Sequence, residues 1–322
     1  MLCNSKMNEN SIRKDTPVGM KPPKTAPDVR LLVLDIDGTI VDESNPVRDS
    51  VAQAIRSAQQ RGVAVALATG RRFRSSLPAH DSIGSTLPVI CYEGALIQEP
   101  GTGFVHRHWT LAPSVAAQVL TQTERLGLSD RVSVHFYIQD NLYVSNLNDA
   151  SKVYFEESEI GSIVMSDLRP LLSRATTKVM VLSEDDQAIA QLSSQLKNSH
   201  SRTQVKQYKS ITSLEVFNPD VNKRFAVKYL AEKIMALRPE NVMAIGDDLT
   251  DIEMLEYAGI GVAMGNAPAA VKAAADWVTT TIEKDGVARA VERWILRARS
   301  NPARPPYGSR LRSVMKYLSP LA

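Results

Sequence analysis

The stretch Leu31-Leu32-Val33-Leu34-Asp35-Ile36-Asp37-Gly38-Thr39 decides the fold and points to the chemistry of the chain. Its first four residues predict a buried parallel strand, because the run is short, wholly apolar and followed by a turn signal. Asp35 and Asp37 then stand at the carboxyl end of that strand, where open α/β sheets bind their ligands. Two carboxylates this close repel each other, so we expect a cation beside them. Oxygen ligands of this kind suit magnesium.

Two other interpretations of the paired carboxylates stand beside the metal site. A helix cap plus an exposed turn carboxylate would account for Asp35 and Asp37 taken alone. A calcium loop of the EF-hand type needs acidic ligands at later positions. Gly38 comes too early for that loop, and Ile40 and Val41 are apolar where ligands should stand.

Composition and cysteine usage favour a two-domain protein of the cytoplasm. The chain has 322 residues, 43% of them hydrophobic and 23% charged, which is ample for a large core. No apolar run approaches the ~20 residues that a bilayer span requires, and the N-terminus lacks the apolar segment of a signal peptide. Cys3 and Cys91 are the only cysteines, so no disulfide framework is expected. We expect no contact with a membrane.

The net charge of +3 hides a difference between the ends and the middle of the chain. Residues 1–30 carry six Lys/Arg and three acids, and residues 293–322 carry seven Lys/Arg and no acid. Residues 31–292 therefore sum to −7. A basic body that would bind nucleic acid is absent. We expect the basic ends to be solvated.

Alternation of strand-like and helical segments from Arg30 onward predicts a parallel sheet with right-handed crossovers. The strands predicted for this sheet are 31–34, 63–68, 88–92, 242–246, 260–264 and 277–279, and the helices are 46–61, 222–237, a segment ending at Tyr257, and 286–298. A hairpin is predicted at 98–109. The stretch from 112 to 218 has a different, α+β pattern, with helices predicted at 112–126 and 185–198 and strands at 132–138, 142–145, 178–182, 204–208 and 213–216.

The fold class is therefore α/β, a Rossmann-like doubly wound parallel sheet with an inserted α+β domain. We place a flexible leader at 1–28, the sheet domain at 29–111 and 219–298, the insert at 112–218, and a basic Pro/Arg-rich tail at 299–322. The tail segment Leu311 to Leu321 has apolar residues at helical spacing and could form a short amphipathic helix.

Carboxylate and hydroxyl residues follow three of the predicted parallel strands, and a parallel sheet would bring them to one edge. These are Asp35 and Asp37, Thr69, and the pair Asp247 and Asp251. Lys223 opens the helix that precedes the last of these strands. Phosphoryl transfer needs such a set, because it depends on positioning and on neutralising spread negative charge. A carboxylate can also act as the nucleophile and form an aspartyl-phosphate.

At these motifs the chain resembles the haloacid dehalogenase superfamily of phosphotransferases. The motifs occur in the family's order: Asp-x-Asp-Gly-Thr at 35–39, Ala-Thr-Gly-Arg at 68–71, Lys223, and Gly-Asp-x-x-x-Asp at 246–251. The long insert looks like the α+β cap of the Cof-like subfamily, and segment 91–97 is similar to that subfamily's Asn-Gly-Ala segment. The resemblance covers roughly residues 29–298.

The resemblance implies a role for each matched residue. Asp35 would be the nucleophile, and Asp37 the acid that protonates the leaving oxygen and the base that activates water. The Asp35 carboxylate, the Asp37 carbonyl oxygen and Asp247 would hold Mg²⁺. The phosphoryl group would be bound by Thr69, the Gly70 amide, Lys223 and Thr250. Asp251 would orient Lys223 or a water at the metal. Asp248 would serve either as a similar supporting residue or as a helix cap.

Two positions near the expected site differ from the family pattern. Glu93 and Thr250 each stand where Asn is usual. Glu93 adds negative charge near the mouth of the cap, and Thr250 can still donate a hydrogen bond. Arg71 and Glu93 are candidate substrate contacts.

We therefore predict a magnesium-dependent hydrolase of small phosphomonoesters, working as a monomer or homodimer on a phosphorylated metabolite. A sugar phosphate is favoured, and a nucleotide or vitamin phosphate comes next. A phosphosugar mutase is an alternative, which dependence on a bisphosphate activator would reveal. A phospho-aspartate regulatory domain is another, and the cap and Asp37 argue against it. A nucleotide-binding dehydrogenase is disfavoured, because this sequence has no Gly-x-Gly-x-x-Gly turn after a strand.

Overall fold

A computed structural model describes residues 28–42, 46–158, 161–197, 199–208 and 211–297. The leader up to residue 27, the tail 299–322 and the helix predicted at 311–321 lie outside these residues. Within the described ranges, no helix combines the length and the apolar character that a bilayer crossing requires.

The helices and strands follow the alternation that the sequence predicts. The strands are β1 Leu31–Leu34, β2 Ala64–Leu67, β3 Val89–Cys91, β4 Leu96–Gln98, β5 Val105–His108, β6 Ser133–Ile138, β7 Asn141–Val144, β8 Ser162–Val164, β9 Thr176–Ser183, β10 Arg202–Tyr208, β11 Ile211–Phe217, β12 Val242–Gly246, β13 Ile260–Ala263 and β14 Trp277–Val278. The α-helices are α1 Asp49–Gln60, α2 Phe73–Ser82, α3 Pro113–Arg125, α4 Asp149–Ser158, α5 Asp186–Leu196, α6 Lys223–Lys228, α7 Ile252–Tyr257, α8 Ala269–Ala274 and α9 Gly286–Val291. π-Helical turns at Tyr229–Ile234 and Glu292–Leu296 extend α6 and α9.

A five-stranded parallel sheet carries the functional edge, in the order β14-β13-β12-β1-β2. Within this sheet, strand β1 pairs with β12 on one side and with β2 on the other. Leu34 is in register with Ile245 and with Leu67. Residues that follow these three strands therefore emerge side by side at the carboxyl edge of the sheet.

Both faces of this sheet are buried, which explains why its strands are continuously apolar. Leu32 and Leu34 point into one core cluster, and Leu31 and Val33 into a second cluster on the opposite face. Successive side chains of a strand point to opposite faces, so a strand covered on both sides needs apolar residues at every position.

The third predicted strand departs from a plain parallel arrangement. Strand β3 makes a parallel bridge to the chain after β2, between Ala68 and Ile90. Its other partner is antiparallel, because β3, β4 and β5 form a small sheet of their own. The predicted hairpin at 98–109 corresponds to β4 and β5.

The insert has its own six-stranded sheet, ordered β10-β11-β9-β6-β7-β8, and its own core cluster. The two ends of the insert lie together, since the Asn218 side chain donates a hydrogen bond of 2.8 Å to the Thr110 carbonyl. This closeness is what an insertion into an existing domain requires. The boundaries at 112 and 218 stay a prediction.

Four elements were not predicted from the sequence: α2, α4, α8 and β8. Helix α2 contains Pro78. Arg72, the residue that precedes the helix, makes no capping hydrogen bond with its side chain. Its first amides are instead satisfied by Asp140, which is 67 residues distant from Phe73. Local sequence signals do not report a cap that comes from another part of the chain.

Candidate active site

The strand register brings the predicted residues of the sheet edge together. Asp35 follows β1, Thr69 follows Ala68 after β2, and Asp247 follows β12. The Asp35 amide donates to the Ile245 carbonyl at 3.0 Å, and the Ala68 amide donates to the Leu34 carbonyl at 2.9 Å. Backbone pairing thus continues one residue past the strands and fixes where the side chains begin.

Lys223 lies at the centre of the site and is almost fully buried, with 2% of its side chain exposed. Its ammonium donates to Asp35 Oδ1 at 2.7 Å and to Asp251 Oδ1 at 2.6 Å. Glu93 Oε2 lies 3.8 Å from the same nitrogen. Lys223 begins α6, where Asn222 caps the helix by accepting from the Phe225 amide. One lysine therefore joins three buried carboxylates that come from distant parts of the chain.

Burial and crowding of like charge shape the ionisation of this group. Burial disfavours the ammonium of Lys223, but Asp251, Asp35 and Glu93 outweigh it and raise its pKa well above the usual value. Burial also raises the pKa of Asp35; Lys223 opposes this, and Asp251 and Asp247 add to it. The site carries more negative charge than its lysine can neutralise.

Both carboxylate oxygens of Asp251 accept hydrogen bonds. Oδ1 accepts from Lys223, and Oδ2 accepts from the amides of Asp247 and Asp248, each at 2.9 Å. This arrangement ties the end of β12 to Lys223. The predicted role of Asp251 in orienting Lys223 stays a prediction, and these contacts are compatible with it.

The donors for a cation lie at the same place. Oxygen atoms of Asp35, Asp247 and Asp251 lie within 4.8 Å of one another. Burial, Asp251 and Asp248 raise the pKa of Asp247 to about 6, although the Thr39 hydroxyl donates to it at 3.0 Å. A cluster of oxygen ligands with surplus negative charge fits a hard divalent cation such as magnesium. Asp251 accepts three hydrogen bonds, two of them on one oxygen, whereas each oxygen of Asp35 and Asp247 accepts at most one among the described residues, so Asp35 and Asp247 are the better candidate ligands.

The turn after Asp37 is shaped to receive Asp247. Gly38 has φ +76, and a Cβ there would meet Asp247 Oδ2 at 2.1 Å. Only glycine permits this approach without strain. Asn266 completes the contact by donating to the Gly38 carbonyl at 2.8 Å and to Asp247 Oδ2 at 3.2 Å. Sequence reasoning missed Asn266, although it follows β13 and the rule of polar residues at strand ends would have found it.

Asp37 and Arg71 pair with each other at the open side of the site. The Arg71 guanidinium donates to both oxygens of Asp37, with Nε 2.9 Å from Oδ2. The Asp37 side chain is 60% exposed. Arg71, proposed as a substrate contact, is thus engaged by the residue proposed as acid and base, and a substrate would have to share it.

Thr69, Gly70 and Glu93 are held together by backbone contacts. The Glu93 amide donates to the Thr69 carbonyl at 3.0 Å. The Thr69 hydroxyl accepts from the Arg71 amide at 3.1 Å, which leaves its own proton available to a ligand. A Cβ at Gly70 would meet Glu93 Oε1 at 2.5 Å, so a side chain there would displace the Glu93 carboxylate from this position. Glu93 itself has φ +56, and such strained backbone concentrates at functional sites.

Asp248 and Thr250 serve mainly the turn that follows β12. The Asp248 carboxylate accepts from the Leu249 amide at 2.7 Å and from the Thr250 hydroxyl at 3.2 Å. Asp248 is therefore a cap of the 3₁₀ turn Leu249–Asp251. The proposed phosphate contact of Thr250 stays a prediction, and it would require this hydroxyl to leave Asp248.

Residues of the insert reach the site, and sequence reasoning missed them. Lys206 of β10 donates to Glu93 Oε1 at 2.9 Å and lies 3.7 Å from Glu215 of β11. Asp140, in the turn between β6 and β7, accepts from the Phe73 and Arg74 amides, each at 3.0 Å, and from the Tyr92 hydroxyl at 2.7 Å. No fixed spacing links these residues to the motifs of the sheet edge.

We expect Asp140→Ala to destabilise the protein by about 1–2 kcal/mol, because loss of an N-cap side chain costs up to ~2 kcal/mol. The carboxylate caps α2 directly after the Thr69–Arg71 segment, so the substitution should also raise KM for small phosphoesters. Urea denaturation would measure the first effect. Asp149→Ala, an exposed carboxylate of the same insert, is the control and should stay within ~0.5 kcal/mol of the wild type. Equal stability of the two variants would contradict the capping role.

Comparisons with known proteins agree with this geometry. The family model of haloacid dehalogenase-like hydrolases matches residues 32–291. A 5-amino-6-(5-phospho-D-ribitylamino)uracil phosphatase of Bacillus subtilis is 29% identical over 270 residues, which cover 84% of this chain and 97% of the relative. A haloacid dehalogenase-like hydrolase from Bacteroides thetaiotaomicron has a similar structure, with a TM-score of 0.72, 24% identity, and coverage of 82% of this chain and 99% of that one.

A solved sugar phosphatase of subclass IIB in the same superfamily also shares the fold. Its TM-score is 0.69 at 22% identity, with 82% of this chain and 98% of that chain covered. The fold, the order of the motifs and the match over most of the chain lead to one assignment. The chain belongs to the haloacid dehalogenase-like hydrolases, as a phosphatase of the Cof-like branch with an α+β cap.

Proposed function

We propose that the protein is a magnesium-dependent phosphatase that hydrolyses a small sugar phosphate through an aspartyl-phosphate on Asp35. The observation that carries this proposal is the buried hydrogen-bonded group of Asp35, Lys223 and Asp251 beside Asp247. Such a group holds a carboxylate in place at the point where the phosphoryl charge must be neutralised.

The proposed reaction has two steps that use the chain's own residues. Asp35 attacks phosphorus, the bond from phosphorus to the leaving oxygen breaks, and Asp37 gives that oxygen its proton. Asp37 then takes a proton from water, which attacks the aspartyl-phosphate and releases inorganic phosphate. Asp35 is 4% exposed, so burial protects the intermediate from adventitious water.

Binding of the transferred group is assigned to the residues around Asp35. The Thr69 hydroxyl, the Gly70 amide and Lys223 would donate to phosphoryl oxygens. Lys223 uses two of its three ammonium protons on Asp35 and Asp251, and the third would be the one donated to a phosphoryl oxygen. Arg71 would contribute positive charge at the open side.

The Asp35 carboxylate, the Asp37 carbonyl oxygen and Asp247 would hold magnesium. The charge of the ion would neutralise the phosphate dianion of the substrate, which the carboxylates of Asp35, Asp37 and Asp247 would otherwise repel. Thr39 and Asn266 donate to the two oxygens of Asp247 and would keep its carboxylate in place.

The proposed substrate class rests on the cap and on one relative. The insert, which we propose spans 112–218, would cover the site and admit only small molecules. The Bacillus subtilis relative is named for a 5-phospho-D-ribityl compound, in which the phosphate is carried by a sugar-derived chain. A nucleotide or vitamin phosphate remains the next candidate class, and a monomer or homodimer the proposed state.

Magnesium should stabilise the folded protein as well as activate it. At free Mg²⁺ 100-fold above Kd, linkage predicts about 2.7 kcal/mol of added stability. Burial and neighbouring acids raise the folded pKa of Asp247 from 3.8 to about 6, so its metal-free contribution to stability is lost as pH rises through that interval. Magnesium should therefore raise Tm more at about pH 7.5 than at about pH 5.

Thermal unfolding with and without magnesium measures this effect, and phosphate release in excess chelator measures the requirement. Asp247→Asn should remove both responses. Asp149→Asn, a matched exposed carboxylate, should keep both. Full turnover in excess chelator would overturn the metal requirement.

A further inference from the structure

A buried set of two lysines and two glutamates connects the insert to the active site. We call it the charge array: Glu93, Lys206, Glu215 and Lys178. Lys206 donates to Glu93 at 2.9 Å and lies 3.7 Å from Glu215 Oε2, while Lys178 donates to Glu215 Oε1. Glu93 lies 3.8 Å from Lys223, so the array ends beside the proposed nucleophile. Three of its members come from the insert.

Two oxygen atoms of the array have unused capacity to accept hydrogen bonds. Glu93 Oε2 and Glu215 Oε2 are buried and have no hydrogen-bond partner among the described residues. Unsatisfied buried acceptors are rare and costly, so they call for an explanation. Lys206 is the member that solvent reaches, with 35% of its side chain exposed. Lys206 lies 2.9 Å from Glu93 Oε1 and 3.7 Å from Glu215 Oε2, so a ligand group that binds its ammonium would lie next to both glutamates.

The charges of the array cancel. Burial opposes ionisation of Glu93, but Lys223 and Lys206 outweigh it and lower its pKa to about 2. Lys178 and Lys206 likewise lower the pKa of Glu215 against the effect of burial. Two ammonium groups therefore face two carboxylates. A hydroxyl group can accept from the lysines and donate to the free oxygens, whereas an anionic group would meet two carboxylates with no surplus cation.

We propose that the charge array is the leaving-group subsite of the enzyme and that it selects neutral polyhydroxyl leaving groups over anionic ones. This inference rests on the proposed function, since it assigns the part of the substrate that lies beyond the phosphoryl group. Position supports it: Glu93 Oε1 lies against Gly70 and accepts from Lys206 of the insert, while Glu93 Oε2 faces Lys223 of the active site.

The alternative is that the charge array is an ion-pair network with a structural role only. The two interpretations predict different effects of substitutions on substrate preference. Changing a structural network alters all substrates alike, through stability or cap closure. A subsite changes the preference between substrates, and it does so in opposite directions when the removed charge has opposite sign.

Glucitol 6-phosphate and 6-phosphogluconate form a matched pair of probes, because they differ only in a terminal hydroxymethyl or carboxylate group. The measured quantity is the ratio of kcat/KM for the first to kcat/KM for the second. We expect a ratio of at least ~10 in the wild type, which corresponds to ~1.4 kcal/mol. Glu215→Gln should lower the ratio at least ~5-fold, and Lys206→Gln should raise it, because the array then carries one net charge of either sign.

Lys152→Gln, an exposed lysine of the same insert, is the control and should leave the ratio unchanged. A wild-type ratio near or below one would overturn the proposal. So would equal ratios in Glu215→Gln and Lys206→Gln. Circular dichroism establishes that the variants fold, and Lys206→Gln alone still tests the direction if Glu215→Gln does not.

Binding separates failure of this proposal from failure of the proposed function. The two probes can be titrated into Asp35→Asn protein by calorimetry, where no turnover is needed. Tighter binding of glucitol 6-phosphate supports the subsite even if hydrolysis does not proceed through Asp35. Equal or weaker binding overturns the subsite, while magnesium-dependent hydrolysis of p-nitrophenyl phosphate by the wild type would leave the proposed function standing.

Discussion

Asp35→Asn should abolish turnover of phosphomonoesters and leave the fold intact. An amide cannot attack phosphorus, and loss of a nucleophile in an established enzyme costs about 10⁶-fold in kcat, so a fall of at least ~10⁴-fold is expected here. The substitution removes one buried charge from a cluster that already holds excess negative charge. Its Tm in the absence of magnesium should therefore equal or exceed that of the wild type.

Steady-state phosphate release and thermal unfolding measure the two effects. Asp167→Asn, at an exposed carboxylate of the insert, is the control and should keep full activity. An Asp35→Asn protein with a rate near that of the wild type would show that Asp35 is not the nucleophile.

Lys223→Met should cost both stability and activity. Methionine keeps the apolar stem but leaves Asp35, Asp251 and Glu93 without their shared cation, and breaking a buried ion pair in this way costs about 3–5 kcal/mol. Turnover should fall by at least ~10²-fold, because a preorganised donor to the phosphoryl oxygens is lost. Lys228→Met is a matched control, since Lys228 lies exposed on the same helix.

A second substitution distinguishes loss of charge balance from loss of packing. Asp251→Asn removes one of the carboxylates that Lys223 neutralises, so adding it to Lys223→Met should recover part of the lost stability. Chemical denaturation of the two single variants and the double variant measures this coupling. Strictly additive losses would mean that the electrostatic role of Lys223 is overstated.

The sequence was sufficient for the sheet edge because each residue there follows a recognisable strand. Leu31–Leu34 and Val242–Gly246 are short apolar runs ending in a carboxylate, and parallel pairing brings such ends together. Lys223 could be placed through the helix that it opens. The sequence predicts which residues lie near one another at this edge but not which of them form hydrogen bonds, such as Arg71 with Asp37.

Contacts between the cap and the core were beyond sequence reasoning for a physical reason. Lys206 and Glu93 are 113 residues apart, and a lysine in a strand of alternating pattern normally reads as solvent-facing. Asp140 likewise caps a helix to which no local signal connects it. Such pairs arise where the insert contacts the sheet domain, and periodicity within one segment carries no information about that contact.

Trapping of the covalent intermediate tests the central claim most directly. Asp37→Ala protein mixed with magnesium and p-nitrophenyl phosphate should form the aspartyl-phosphate quickly, because this leaving group needs no acid, and hydrolyse it slowly, because the base is gone. Mass spectrometry after acid quench and peptic digestion should find one added phosphoryl group, located on Asp35. Continued release of p-nitrophenol with no phosphorylated protein at any time would contradict the covalent mechanism.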